Sequence, residues 1–300
     1  MARPAPSHAA VARWALVVVW VSLPFTAGPA FAEALAERSL PVQRVDAIGL
    51  WLLWAGGLVA ALVPTTASLT ALRILAPASL AGVVVAAVAG ARGTALVVAA
   101  MAVTMTVTVL VLLPRVGDRF ANGSSYGDER RFLLKPPAAL VLGPIPLAWA
   151  LVVAGTAAGP MLLAASAWVA GAAALVVGWP LAALLVRSLH GLTRRWLVFV
   201  PAGMVVHDAT TLVESAMVQR REIAGVSRAR ADTDARDLTA GAAGGAVELA
   251  FSVHVPITPR PPGRPGGAVA EAVPVTAVLV APTRIDAVLA EAAERRLPVG

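Results

Sequence analysis

The densest set of groups able to do chemistry lies between residues 115 and 131: Arg115, Asp118, Arg119, Asn122, Ser124, Ser125, Tyr126, Asp128, Glu129, Arg130 and Arg131, including the only tyrosine of the chain. Its arginines suit a phosphorylated head group or a nucleotide, because planar guanidinium groups bind phosphate oxygens in pairs. The plainer reading of the same residues is a solvated loop that fixes membrane topology and touches the C-terminal part of the chain. Either way, Arg115, Arg119, Tyr126, Asp128, Glu129, Arg130 and Arg131 are the candidate interaction residues.

Other chemistry is thinly represented. The chain has no cysteine, which removes thiolate metal sites, disulfides and Cys nucleophiles. It holds no P-loop, G-x-G-x-x-G, H-E-x-x-H or G-x-S-x-G pattern. The four histidines, His8, His190, His207 and His254, are far apart in sequence; His207-Asp208 with His254 is a conceivable metal site, but ordinary strand-end histidines explain them as well. Thr104 and Thr108 can share a helix face and bond back to helix carbonyls. Gly155 and Gly159 fit G-x-x-x-G, yet with Pro160 they are read as a turn between helices. No catalytic, cofactor-binding or metal-binding residues are assigned, and the expectation is a protein that is not an enzyme and carries no cofactor.

The elements that must position these residues follow from composition. Hydrophobic residues make up 58% of 300 and charged residues 14%, against about 45–50% and about 25% in soluble domains; mean hydropathy is +0.79. This excludes a fully soluble or disordered chain. A charge at mid-bilayer costs about 2.5–3.5 kcal/mol, so charge-free stretches mark spans. They cover residues 14–32, 47–72, 74–91, 93–114 and 136–186. At roughly 17–25 residues per span, the last holds two. Six spans are expected, about 14–32, 48–64, 75–91, 94–113, 137–155 and 161–186, in a transmembrane domain over 1–186. No ionisable group falls inside them on these bounds. Pro64 and Pro114 stop the second and fourth. The first has two readings, a retained helix or a cleavable signal segment ending at Ala30-Phe31-Ala32; the retained helix is preferred.

Charge sets orientation and partners. The formal net charge is +7, with 23 arginines and a single lysine, Lys135. That bias, beside abundant Ala, Val, Gly and Pro, points to a GC-rich bacterial gene. Basic residues mark the cytoplasmic loops of membrane proteins. With the N-terminus inside, the inner face takes Arg3, Arg13, Arg73, Arg115, Arg119, Arg130, Arg131 and Lys135, and the outer face only Arg38, Arg44 and Arg92. The expected setting is a multi-pass protein of the bacterial cell membrane with both termini cytoplasmic. Its partners would be the lipid bilayer and an unknown protein, or its own tail docked on the inner loop, with no role for nucleic acid.

After Val186 the pattern changes to a mainly β domain over 187–300. Candidate strands are Arg195–Val200, Met204–His207, Ala216–Gln219, Glu222–Val226, Ala246–Val253 and Val273–Val280, the first two joined by a three-residue loop, Pro201-Ala202-Gly203. A terminal helix is expected over 284–296, with Ile285, Val288, Leu289 and Ala292 in one apolar stripe and Thr283 and Asp286 as a capping box. This helix would plug a curved sheet. The order of strands, loops and terminal helix resembles a bacterial pleckstrin-homology-like (PH-like) domain. The run from His190 through Arg194-Arg195-Trp196 to His207-Asp208 is similar to actinobacterial integral membrane proteins of unknown function. The resemblance implies a non-catalytic membrane protein presenting a cytosolic interaction module, a scaffold or regulator. The alternative is a transporter or channel for a neutral or lipidic solute, from the Pro- and Gly-interrupted spans. Six strands are one fewer than the PH sandwich usually has.

Overall fold

The computed structural model describes residues 8–91, 93–260 and 271–300, with the backbone alone for 8–13. Arg3, Arg92 and the Pro/Gly-rich stretch over 261–267 lie outside the described residues. The chain forms two compact units: a helical one from residues 1–123 and 146–190, and a β-rich one from 124–145 and 191–300.

In the helical unit, α1 (His8–Thr26) and α2 (Gly28–Leu35) together make the first span; α3 (Leu40–Leu62), α4 (Thr66–Ala89) and α5 (Thr94–Leu112) are the next three. A short α6 (Pro114–Asn122) follows, then, after the excursion into the β unit, α8 (Pro144–Ala164) and α9 (Trp168–Leu192). Among the described residues, six helices are long and apolar enough to cross a membrane. Runs without charge form helices there because hydrocarbon offers no partner for an unbonded amide. Trp20 and Trp54 clamp α1 to α3: each indole nitrogen donates to the other residue's carbonyl, at 2.9 and 3.1 Å. Gly57 makes room for this, since a Cβ there would fall 1.9 Å from the Trp20 ring.

Two expectations about the spans are corrected. The third does not start after Arg73; Thr65 caps it by accepting from the Ser68 amide, so Arg73 lies inside α4 and an ionisable group does occur within a span. The fifth and sixth are not divided at Gly155–Pro160. Helix α8 runs through Pro160 and the turn is at Ala165–Ala167, with Ser166 at φ 62°. The glycines serve packing instead. A Cβ on Gly155 would sit 2.9 Å from the Gly178 carbonyl oxygen, and one on Gly178 2.6 Å from that of Gly155. Small residues let α8 and α9 approach backbone to backbone.

The β unit begins where the sequence reading had only a loop. Strand β1 (Arg130–Leu133) pairs antiparallel with β2 (Trp196–Val200), which continues through β3 (Gly203–His207) to β4 (Ala216–Gln219). A short helix, α7 (Ala138–Val141), follows β1 in sequence. The second sheet has the order β5-β7-β8-β6, from β5 (Ile223–Arg228), β6 (Arg236–Asp237), β7 (Val247–Ile257) and β8 (Val273–Val280), and α10 (Ile285–Glu294) closes the chain. One core joins them: Phe132, Leu197, Phe199 and Val206 from the first sheet, Val226, Leu249 and Val278 from the second, and Val288 and Ala292 from α10. The six expected strands are present, and β1 and β6 are additional.

Smaller corrections follow from geometry. The β2–β3 loop has two residues, Pro201 and Ala202, because Val200 pairs directly with Gly203. Gly203, at φ 154°, allows no side chain: a Cβ would meet the Val218 carbonyl at 2.0 Å. The capping box at α10 does not form; Arg284 occupies the cap position, its side chain does not cap the helix, and Asp286 pairs with Arg228 instead.

Candidate functional site

The candidate interaction residues divide between the two units. Arg115 and Arg119 lie on α6 of the helical unit, whereas Tyr126, Asp128, Glu129, Arg130 and Arg131 belong to the β unit. Each group is therefore described within its own unit.

In the helical unit, α6 is amphipathic, with Val116, Phe120 and Ala121 buried and Arg115 exposed. Gly123 fixes its end beside the start of α4, since a Cβ there would lie 1.8 Å from the Pro64 carbonyl. The buried carboxylate of Asp118 is the charge that faces Arg73 of α4. Yet the buried Nε of Arg73 has no acceptor among the described residues, and the Nε of Arg119 is in the same condition. One turn before Arg73, Thr70 Oγ1 donates to the Thr66 carbonyl and lies 2.9 Å from Nδ1 of His190 at the end of α9. Arg73, Asp118, Thr70 and His190 thus form a polar group that the sequence hid, because a charge beside an apolar run reads as a helix boundary and Arg73 lies inside α4.

In the β unit, Glu129 takes a two-pronged bond from Arg131, Nε to Oε1 at 2.7 Å and Nη2 to Oε2 at 3.2 Å. That bond holds the Glu129 carboxyl below its usual range against the opposing effect of burial, with help from the Tyr126 amide and the Arg131 charge. The Arg131 guanidinium lies 5.1 Å from the Trp196 ring centroid, and Trp196 stacks on His207 at 5.3 Å. The register makes this stack, since Leu133, Trp196 and His207 are successive cross-strand partners. His207 also meets the Ser215 hydroxyl at 2.7 Å. Burial chiefly, then the positive charges of Arg194 and Arg131, push its pKa down, and Asp208 opposes them. Tyr126 is almost fully exposed. The Asp128 carbonyl accepts from Arg295, whose guanidinium stands 5.9 Å from the Phe199 ring centroid.

Comparison of the chain with protein-family models, curated proteins and solved structures finds no match.

The strongest polar interaction in the β unit was not foreseen. Arg195 and Asp208 are almost fully buried and joined by two hydrogen bonds, at 2.7 and 2.8 Å. Arg195 also donates to the Lys135 carbonyl at 2.8 Å, and Asp208 Oδ1 accepts from the amide and hydroxyl of Thr210. Burial alone would raise the Asp208 carboxyl, but Arg195 and Thr210 outweigh it and hold it below the usual range. With its oxygens so committed, Asp208 is occupied as a structural group and is not disposed to bind a metal with His207 and His254. Among the described residues no group of three or more potential ligands is placed to hold a metal.

A separate feature of the helical unit is an apolar cavity of about 460 Å³ between α1–α2, α3 and α4, lined among others by Trp20, Phe31, Trp51, Trp54, Leu75 and Gly82.

Proposed function

We propose that the protein is a non-catalytic integral membrane scaffold or regulator of the bacterial cell membrane. Its β unit is a PH-like interaction module on the cytoplasmic side, where both termini also lie. One observation carries this reading: the loop between the fourth and fifth spans contributes strand β1 to the sheet built by the C-terminal tail. The chain therefore enters the module at residue 124, leaves it at 145 and returns at 191. A module tied to the spans at three places is held at the membrane far more firmly than one on a single tether. The eightfold strand set in two sheets with a closing helix supports the PH-like reading, since β1 supplies what the tail lacked. The similarity to actinobacterial membrane proteins is part of the same proposal.

The test compares proteins cross-linked in cells to the full chain with those cross-linked to a chain ending at residue 190. The reading expects partners that depend on the tail; an identical set from both chains contradicts it.

A second reading, transport of a lipidic solute, draws on the apolar cavity among the first spans and on Pro24, Pro77, Pro160 and Pro180 inside span helices. Flux of such a solute in reconstituted vesicles would favour it over the scaffold.

A further inference from the structure

Arg73 and Arg119 share an unusual condition. Each is a half-buried arginine of the helical unit whose Nε is shut away from solvent with no acceptor among the described residues. Buried donors are ordinarily satisfied, and exceptions call for an unseen partner. Both belong to packed elements that meet where α4 starts and α5 ends, with the close contact of Gly123 on Pro64 fixing α6 there. Long basic side chains near span ends extend toward the interface, and in a helix they lean toward its N-terminus. For Arg73 that direction is the Thr66 end of α4.

The Asp118 carboxylate acts on Arg73 by its charge. Arg115, four residues before Arg119, lies on the same side of α6. On α4 and α6 three guanidinium groups stand against one carboxylate, a positive balance, and the Nε donors of Arg73 and Arg119 have no acceptor among the described residues. The anion available in quantity at the interface is phosphate, and the guanidinium fork matches its oxygens.

We propose that Arg73 and Arg119 bind the phosphate group of an anionic phospholipid at the seam between α4 and α6. The positive balance favours a head group of net negative charge over a zwitterionic one. The site is independent of the module's partners, so it stands or falls separately from the scaffold reading.

The test uses the full-length protein in nanodiscs of phosphatidylcholine doped with phosphatidylglycerol, followed by native mass spectrometry of the released protein. Wild type is expected to retain phosphatidylglycerol in preference to phosphatidylcholine. R73Q should lower that retention by about tenfold or more, the scale of one lost charged hydrogen bond, and R119Q should lower it in the same direction. In a second arm, inorganic phosphate is added to protein in pure phosphatidylcholine nanodiscs. Thermal stabilisation of wild type but not of R119Q would assign the same phosphate chemistry to a soluble anion; no stabilisation assigns it to the lipid. Equal retention by wild type, R73Q and R119Q, or no preference of wild type for the anionic lipid, overturns the proposal. Should R73Q fail to fold, the R119Q result and the wild-type preference decide.

Discussion

At the scale of single residues, the best-defined interaction is the buried Arg195–Asp208 pair, which ties the start of β2, the end of β3 and the segment after β1. Removing one member leaves the other charged and unpaired, which costs about 3–5 kcal/mol. Asp208→Asn should therefore strongly reduce hydrogen-exchange protection across β2 and β3, measured by mass spectrometry of the full-length protein in detergent. The pair also predicts an acid limit. The Asp208 carboxyl sits below its usual value when folded, so its stabilisation is complete above the unfolded carboxylate pKa, about 3.9. It is lost as pH falls through the lower folded value. Exchange protection of β2 in wild type should fall over that acid window, and in Asp208→Asn this component of the pH dependence should be absent. The pair was not legible in the sequence, since Arg195 and Asp208 are thirteen positions apart and only the hairpin register brings them together.

At the scale of elements, alternation and apolar runs revealed most strands, and Ala216–Gln219 and Val273–Val280 have the expected bounds. Strand β1 was hidden because its four residues, Arg-Arg-Phe-Leu, open on two charges between spans, where a topology-setting loop is the simpler reading. Its apolar content is nonetheless core: Phe132 is buried and meets Phe199 edge-on at 5.7 Å. Phe132→Ala should destabilise the β unit by about 3–5 kcal/mol, read as faster proteolysis within 191–300 although the substitution lies between spans. The α8–α9 hairpin was legible as two helices but not in its turn, because Gly155, Gly159 and Pro160 signal a break in water and close packing in a bilayer. Gly178→Leu would drive a side chain into the Gly155 carbonyl. Forced overpacking of this kind costs about 1–3 kcal/mol, and the variant should melt earlier in detergent than Gly56→Ala, where a Cβ meets nothing. Arg73 shows the opposite case: in the sequence its charge reads as a boundary, whereas Thr65 caps the helix two turns earlier and a side chain long enough to reach the interface makes the charge tolerable.

At the scale of the whole molecule, hydropathy was sufficient to find six spans and a β-rich unit, because the cost of charge in hydrocarbon leaves few alternatives. What it could not show is that the β unit is assembled from two separated stretches of chain. The proposed orientation places Ser39 outside and Ser124 and Ala231 inside, and all three are exposed. In this cysteine-free chain, an impermeant thiol reagent should label Ser39→Cys in intact cells. It should label Ser124→Cys and Ala231→Cys only in inverted vesicles.

The most direct measurement is oxidative cross-linking of a cysteine pair across the join between loop and tail. Arg131 and Val198 are register partners of β1 and β2, as Val198 and Val205 are of β2 and β3. In membranes under mild oxidation, Arg131→Cys with Val198→Cys should form a disulfide as readily as the control pair Val198→Cys with Val205→Cys. A control pair that closes while the 131–198 pair stays reduced would contradict a module shared between the inter-span loop and the tail.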